Sequence, residues 1–166
     1  MKTRFILLMG VSGCGKTTIG KALAKSLSWN FYDADYLHPP ENIDKMKNSI
    51  PLNDEDRSPW LEELHNLILA STHNAIPGVM ACSALKERYR QILLKDCQEV
   101  LIVYLKGNYE LIWSRMAGRS GHYMKPEMLR SQFDALQEPQ NALVIDVADT
   151  VEDILVQLLS YLENEG

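Results

Sequence analysis

A parallel β-sheet covered by helices on both faces is the fold that this sequence predicts. Apolar runs short enough to be strands recur along the chain, near residues 4–9, 30–32, 79–82, 100–105 and 143–147. The segments between them carry apolar residues at helical spacing, as Ile19, Leu23 and Leu27 do. Strands that alternate with helices pair in parallel and are buried on both faces. Since 166 residues is the length of one domain, we expect a single α/β domain over residues 1–166.

The last helix of the chain has the clearest periodicity. Its apolar residues mark one face and are Val151, Ile154, Leu155, Leu158, Leu159 and Leu162. Thr150 and Asp153 resemble a capping box, which predicts that this helix begins directly after Thr150. Two segments interrupt the alternation: residues 33–59 are polar and contain prolines, and residues 117–126 combine two glycines with several cations. Binding sites usually lie in such connecting segments.

The net charge of −5 argues against a nucleic-acid partner, because no run of Lys and Arg is long enough to neutralise several phosphates in a row. The overall field of the protein is negative, so a small anionic substrate would have to be attracted by a local basic cluster. We therefore expect such a cluster within the chain.

The cysteines and the first residues indicate a cytoplasmic protein. Cys14, Cys82 and Cys97 are too few and too widely spaced for a disulfide framework, and no Cys-x-x-Cys pair suggests zinc or a redox centre. The apolar run that follows Met1 is too short for a signal peptide or a membrane span. We expect reduced thiols, a cytoplasmic location and no membrane contact.

A phosphate-binding loop (P-loop) follows the first predicted strand. The pattern G-x-x-x-x-G-K-[ST] is matched at every fixed position by Gly10, Val11, Ser12, Gly13, Cys14, Gly15, Lys16 and Thr17. Glycines allow backbone N–H groups to wrap around phosphates, and the helix that follows adds the positive end of its dipole. We expect Lys16 to reach the β and γ phosphates of ATP, Thr17 to bind Mg²⁺, and Thr18 to belong to the nucleotide site.

The loop by itself does not distinguish GTPases, motor ATPases and small-molecule kinases. A guanine-specific GTPase would carry Asn-Lys-x-Asp after a late strand, and the sequence has no such tetrapeptide. The second strand is predicted to end in Asp33, Ala34 and Asp35, and we expect the two carboxylates to lie on different sides of the strand and to meet different partners. We therefore expect Asp33 to hold a water of the Mg²⁺ shell, and Asp35 to orient the attacking hydroxyl and accept its proton.

Five blocks of this sequence together resemble the bacterial gluconate kinase family in order and spacing, over almost the whole chain. They are GVSGCGKT from Gly10 to Thr17, DADYLHPPENIDKM from Asp33 to Met46, IPLNDEDRSPWL from Ile50 to Leu61, CSALKERYR from Cys82 to Arg90, and GRSGHYMKPEMLRSQFDALQEP from Gly118 to Pro139. The resemblance implies a three-layer P-loop kinase fold with a five-stranded parallel sheet, a substrate-binding insertion at about residues 36–75 and a lid at about residues 117–126. It also implies phosphorylation of D-gluconate to 6-phospho-D-gluconate with ATP and Mg²⁺, by a homodimer.

The sequence departs from the family pattern at several positions. The family has serine where this chain has Cys14, glycine at Ala34, glycine near Ser49 and phenylalanine at Tyr123. These substitutions keep size and polarity roughly constant. The stretch 139–143 is several residues shorter than the loop that borders adenine in the family, so adenine contacts are not carried over to it.

Cations are expected to bind the carboxylate of a sugar acid. Lys86 and Arg90 lie four residues apart in the helix after the third predicted strand, which would place both cations side by side on one face. The insertion adds His38, Lys45 and Arg57 as candidate ligands, and the resemblance implies that its helices close over the substrate. Each of these three could instead be a structural or solvated group, so the prediction depends on the block as a whole.

The segment at residues 117–126 has the composition of a mobile lid, since glycines supply hinge freedom and cations can reach transferring phosphate oxygens. Arg119 is the preferred candidate to stabilise the transferring phosphoryl group, and His122 is expected to contact the substrate. Arg115, one turn earlier, could serve as a structural ion pair. The predicted catalytic residues are Lys16, Asp35 and Arg119.

Two other functions stay open at this point. Shikimate kinases share the P-loop and the D-x-D strand end, but that resemblance requires Gly-Gly-Gly after the third strand, where this chain has Ala-Cys-Ser-Ala at residues 81–84. A nucleotide-binding regulator without catalysis would not need to retain Lys16, Thr17, both carboxylates and the lid cations together. Turnover with gluconate would separate these functions.

Overall fold

Strand β1 (Phe5–Met9) lies at the centre of a five-stranded sheet, and its side chains are fully buried. The computed structural model of the protein describes residues 2–118 and 126–165. The other strands are β2 (Asn30–Asp33), β3 (Gly78–Ala81), β4 (Val100–Lys106) and β5 (Leu143–Asp146). Every neighbouring pair is parallel, in the order β2-β3-β1-β4-β5. The predicted five-stranded parallel sheet is confirmed.

Helices connect and cover these strands. Within the described residues they are α1 (Lys16–Leu27), α2 (Pro40–Lys47), α3 (Asp54–His73), α4 (Glu87–Leu93), α5 (Tyr109–Ala117), α6 (Pro126–Ala135) and α7 (Val151–Asn164), with a short 3₁₀ helix at Ala34–Leu37. As predicted, the last helix begins directly after Thr150, whose hydroxyl accepts a hydrogen bond from the N–H of Asp153 at 3.2 Å. No described helix is both long and apolar enough to cross a membrane.

Successive residues of β1 face opposite sides of the sheet and enter two separate cores. Ile6 and Leu8 pack with side chains of α1, α5, α6 and α7, whereas Phe5, Leu7 and Met9 pack with side chains of α3 and α4. Each fully buried side chain of this size contributes about 1.5–3 kcal/mol relative to an exposed one. Strand β1 therefore anchors both helical layers and fixes the position of the loop that follows it.

The segment between β2 and α3, residues 34–53, is held in place by α3, which packs on the sheet. The helix begins with a reciprocal cap, in which Asn53 Oδ1 accepts the N–H of Asp56 at 2.7 Å and the Asp56 carboxylate accepts the N–H of Asn53 at 3.0 Å. One turn later the indole N–H of the buried Trp60 donates to the carbonyl of Ala34 at 2.7 Å. The 3₁₀ helix is thereby held against α3.

Ser49, which follows α2, lies in the left-handed region with φ of 56°. A residue with a Cβ is disfavoured there, and glycine is not. This conformation explains why the family pattern that the sequence resembles has glycine near this position.

Candidate active site

All strands run in one direction, so their carboxyl ends meet at one edge of the sheet, where ligands bind in open α/β folds. The P-loop connects β1 to α1 at this edge. Gly13 and Gly15 have φ of 81° and 101°, and a Cβ on Gly13 would lie 2.5 Å from Met116 Cγ. Both the backbone conformation and the contact with α5 therefore favour glycine at residue 13, a position that the motif itself leaves variable.

The side chain of Lys16 folds back onto the start of the P-loop. Its Nζ donates to the carbonyls of Gly10 at 2.9 Å and Val11 at 3.0 Å, and lies 3.9 Å from the sulfur of Cys14. Helix α1 begins at Lys16, and the first N–H groups of a helix have no intrahelical acceptor. The positive helix end and the ammonium together form a cradle for phosphate. Thr18 is exposed in the same first turn.

Ser12 has a partner that the sequence did not reveal. Its backbone N–H donates to Gln132 Oε1 at 2.7 Å, and Gln132 Nε2 donates to Ser12 Oγ at 2.9 Å. The N–H of Ser12 is therefore directed towards α6. Because 120 residues separate the two, no local sequence pattern could have indicated the contact.

Asp33 lies beside the P-loop at the end of β2. Its Oδ2 accepts a hydrogen bond from Thr17 Oγ1 at 3.2 Å, and its Oδ1 accepts the N–H of Asp35 at 3.0 Å. The second bond caps the 3₁₀ helix, so Asp35 lies beyond the strand. The prediction that strand alternation separates the two carboxylates is therefore wrong, because residues two apart in a strand face the same side and because β2 ends at Asp33. The two carboxylates have different surroundings because Asp35 lies in the 3₁₀ helix.

Thr17 and Asp33 bring two hard oxygen donors together, which suits Mg²⁺. Within residues 2–118 and 126–165, no group of three or more His, Cys, Asp or Glu side chains could hold a metal ion by itself. Mg²⁺ retains several waters and takes only one or two protein ligands beside substrate phosphates. The pair therefore fits a magnesium ion that accompanies a nucleotide.

Asp35 experiences an environment that favours its neutral form. Desolvation of the carboxyl group and repulsion from Asp33 raise the pKa of Asp35, and the ammonium of Lys16 lowers it to a smaller extent. Asp35 lies close to the P-loop, because its N–H donates to Asp33, whose other carboxylate oxygen accepts from Thr17. A raised pKa is expected of a carboxylate that accepts a proton near neutral pH.

His38 is buried in the insertion and stacks on Trp60, with 4.0 Å between ring centroids. Desolvation and the nearby guanidinium of Arg57 lower the pKa of His38 to about 4, so the ring is neutral at physiological pH. Its Nδ1 lies 3.2 Å from Nδ2 of Asn42, which also donates to the carbonyl of Asp56 at 2.8 Å. With Nδ1 accepting, the imidazole carries its proton on Nε2.

Lys45 forms an ion pair with Asp56, with 2.9 Å from Nζ to Oδ1 and 3.0 Å to Oδ2. Asp56 is also the capping carboxylate of α3, and this pairing holds the pKa of Asp56 below its ordinary value. Lys45 therefore fastens α2 to the start of α3 in this structure.

Three cations surround the ring of Tyr89, and they form the basic cluster that the charge balance predicts. Arg57, Lys86 and Arg88 place their charged groups 5.7, 5.7 and 5.4 Å from the ring centroid. Asp54 accepts a hydrogen bond from the Tyr89 hydroxyl at 2.8 Å and pairs with Arg88. With three cations and one carboxylate, the cluster has a net charge of +2. The sequence indicated Arg57 and Lys86 but not Tyr89, Arg88 or Asp54.

Arg90 does not join this cluster, so the prediction that it lies beside Lys86 and faces the substrate carboxylate is wrong. Helix α4 begins at Glu87, which leaves Lys86 as its cap, and Arg90 is only 3% exposed. Its guanidinium donates to the carbonyls of Ala84, Leu85 and Gln137 at 2.7, 3.1 and 2.6 Å, and pairs with Glu87 at 2.7 Å.

Two of the carbonyl groups bound by Arg90, those of Ala84 and Leu85, belong to the turn between β3 and α4. Ala84 in this turn has φ of 45°, a conformation that costs energy for a residue with a Cβ. Arg90 stabilises the turn through the hydrogen bonds to its carbonyls. Gln137 adds two bonds: its Oε1 accepts the N–H of Glu87 at 2.8 Å, and its backbone N–H donates to the carbonyl of Leu85 at 2.8 Å. The turn in its constrained form presents Lys86 to the cluster.

Two predicted ligands, Arg119 and His122, lie outside the described residues, as does most of the predicted lid. Arg115 lies in the last turn of α5. The stretch 139–143, which the resemblance compares with an adenine-bordering loop, leads into the start of β5. Its residues 139–141 line a groove of about 480 Å³ together with Arg90.

Comparison with known proteins gives one family match and several close relatives. The family model described as shikimate kinase matches residues 12–161. The thermosensitive gluconokinase of Escherichia coli strain K12 is 50% identical over 134 residues, which are 81% of this chain and 72% of the relative.

Among solved structures, a gluconokinase resembles this chain more closely than a shikimate kinase does. The crystal structure of a gluconokinase from Sinorhizobium meliloti 1021 has a TM-score of 0.88 and 36% identity, covering 99% of this chain and 94% of that one. The shikimate kinase from Acinetobacter baumannii has a TM-score of 0.61 at 18% identity, covering 98% and 94%. The second likeness extends to the fold alone.

Proposed function

The chain belongs to the gluconokinase family of P-loop kinases, and we propose that it transfers the γ-phosphoryl group of ATP to the terminal hydroxyl of D-gluconate. The observation that carries the proposal is the net positive cluster around Tyr89. Arg57 of this cluster lies in α3, and Trp60 of the same helix bonds to the carbonyl of Ala34, the residue between the two aspartates. A protein of net charge −5 gains a local attraction for a small anionic acceptor through this cluster.

On the nucleotide side, the loop amides and Lys16 are proposed to bind the β and γ phosphates. Lys16 already occupies the mouth of the loop, where it bonds to two carbonyls. Thr17 and Asp33 would hold Mg²⁺, which when bound neutralises charge on the phosphate oxygens. These groups act mainly through positioning and electrostatic stabilisation.

On the acceptor side, Asp35 is proposed to orient the attacking hydroxyl and to accept its proton. The raised pKa of Asp35 supports this role, because a stronger base takes the proton more readily. The cluster of Arg57, Lys86 and Arg88 is proposed to bind the carboxylate at the other end of the acceptor. The neutral His38 is proposed to donate its Nε2 proton to an acceptor hydroxyl, and Lys45 to assist through Asp56. From the sequence resemblance alone, Arg119 and His122 are proposed to complete the site.

The proposal is tested with purified protein, MgATP and a panel of acceptors in a coupled ADP assay. We expect turnover with D-gluconate, little with glucose, which lacks the carboxylate, and little with shikimate. The product is checked by phosphorus NMR for a phosphate ester at the terminal carbon. Preferred phosphorylation of shikimate would replace the proposal by the alternative kinase activity, and binding of nucleotide without turnover of any acceptor would favour the regulator.

We also propose that the protein works as a homodimer in the cytoplasm, as the sequence resemblance implies. Size-exclusion chromatography with light scattering tests the first point, since a mass near 18.9 kDa would identify a monomer.

A further inference from the structure

From the contact between α6 and the P-loop, we infer that Gln132 is a positioning residue that holds Lys16 in its phosphate-binding place. The link runs through one peptide unit, the one that joins Val11 to Ser12. Its carbonyl accepts a hydrogen bond from Lys16 Nζ at 3.0 Å, and its N–H donates to Gln132 Oε1 at 2.7 Å. This peptide plane is therefore held from opposite sides by the two residues.

A bound nucleotide would compete with the bond from Lys16 to Val11 but not with the bond from Ser12 to Gln132. Phosphate oxygens compete with the Val11 carbonyl for the donors of Lys16, because the ammonium has only three. The Gln132 bond lies on the other side of the peptide and does not compete with phosphate. Gln132 therefore keeps the Val11 carbonyl aimed at Lys16 throughout, so that the ammonium stays between this carbonyl and the phosphates.

Gln132 is itself well anchored for this purpose. The second bond, from Nε2 to Ser12 Oγ at 2.9 Å, fixes the orientation of its amide. Three residues earlier on α6, Leu129 is fully buried in the core that also contains Ile112 and Met116 of α5. Gly13, the neighbour of Ser12, would meet Met116 if it had a Cβ. The loop therefore rests on both helices, and Gln132 supplies the polar part of that contact.

A second glutamine, Gln137, follows the end of α6 by two residues and serves as a matched comparison. Gln137 bonds to Leu85 and Glu87 beside Lys86, on the acceptor side, and not to the P-loop. Both glutamines hold backbone groups, but of opposite halves of the site. Replacement by methionine roughly keeps the size of each side chain and removes only the side-chain hydrogen bonds. The backbone N–H of Gln137 can still donate to Leu85 in Gln137→Met.

The experiment compares Gln132→Met, Gln137→Met and the exposed control Gln91→Met in the full chain. Calorimetry measures MgADP binding, and steady-state kinetics measures the two substrates separately. We expect Gln132→Met to weaken MgADP binding about fivefold to tenfold, as the loss of about one net hydrogen bond implies. We expect it to lower kcat by a similar factor, with the KM for the acceptor and the melting temperature unchanged. Gln137→Met should instead raise the acceptor KM.

Ser12→Ala sharpens the test, because it removes the hydroxyl partner and leaves the backbone bond. Its effect should be smaller than that of Gln132→Met, and it should add nothing in the Gln132→Met background. Wild-type MgADP binding and kcat in Gln132→Met would overturn the inference. Equal weakening of both substrates with a lower melting temperature would also overturn it, since Gln132 would then act only through the fold.

The inference rests on the proposed kinase function, but the two can fail separately. MgADP binding is measured without any acceptor, so its response to Gln132→Met does not depend on gluconate being the substrate. Absence of gluconate turnover in the wild-type protein would remove the proposed function and leave the binding result intact.

Discussion

The nucleotide side and the acceptor side of the site lie at the same edge of the sheet, but different parts of the chain build them. The P-loop is one contiguous segment, in which the carbonyls of Gly10 and Val11 accept hydrogen bonds from Lys16 at the start of α1. The proposed acceptor side combines side chains from the predicted insertion, which includes α3, and from α4 with the turn before it, and ion pairs such as Lys45–Asp56 hold it. A contiguous backbone cradle can be recognised in a sequence, whereas an assembly of side chains depends on how distant segments pack.

The largest effect is expected on the nucleotide side. Lys16→Ala should lower turnover about a thousandfold, because the ammonium stabilises charge that develops on the transferring phosphoryl group. The fold should be retained, since Lys16 bonds only to carbonyls of its own loop. Turnover and thermal melting are measured together, with the exposed Lys21→Ala as the control. Near-normal turnover in folded Lys16→Ala would contradict the P-loop's role in catalysis.

The next comparison is between Arg90, which supports the turn before α4, and Lys86, which is proposed to bind the carboxylate of the acceptor. Arg90→Met should destabilise the protein by about 3 kcal/mol or more, because it leaves several buried carbonyls and Glu87 without their partner. Lys86→Met should keep the stability and raise the gluconate KM about tenfold or more, as loss of a charge-assisted bond implies. Denaturant unfolding and the KM values for both substrates check this.

A stable Arg90→Met variant with a raised gluconate KM alone would return Arg90 to the substrate site. Equal changes in the KM for ATP and the KM for gluconate in Lys86→Met would remove Lys86 from the acceptor side.

Variants of Asp33 and Asp35 test the region between the nucleotide side and the proposed acceptor side. Asp35→Asn should lower kcat about a hundredfold and weaken gluconate binding, with little change in Mg²⁺ dependence, because the variant cannot accept the proton. Asp33→Asn should raise the Mg²⁺ concentration required. At neutral pH, Asp35→Asn should also melt at a higher temperature, since a raised pKa means that the charged carboxylate opposes folding above that pKa.

Exchanged phenotypes of these two variants would exchange the two roles. Turnover by the double variant would exclude both carboxylates from the chemistry.

The smallest effect on stability at neutral pH is expected from the titration of His38, which changes the free energy of unfolding only in acid. The pKa of His38 is about 4 in the folded protein, below the ordinary value of 6.5, so between these values the unfolded chain takes up a proton that the native ring does not. Stability should therefore fall as pH decreases from 6.5 to 4, by about 3 kcal/mol in total. Urea unfolding at several pH values should show a flatter profile for His38→Gln than for the wild type and the exposed control His73→Gln. Parallel profiles would exclude a depressed pKa.

The fold class, the P-loop and the strand and helix that flank it could all be predicted from the amino-acid sequence. The alternation of apolar runs with helical periodicity is a local property, and so is a backbone motif that occupies eight consecutive residues. The final helix was predicted for the same reason, since Thr150 and Asp153 cap it within one turn.

Which cations gather around Tyr89 and which support the backbone depends on the tertiary structure. Lys86 and Arg90 look equivalent in the sequence, yet the start of α4 at Glu87 separates them, and Arg90 is drawn beneath the Ala84 turn. Gln132 has no distinguishing local pattern at all, and its role arises because α6 packs against a loop 120 residues away. Buried hydrogen-bonding groups must find partners wherever the packing brings them, and those partners are set by the complete fold.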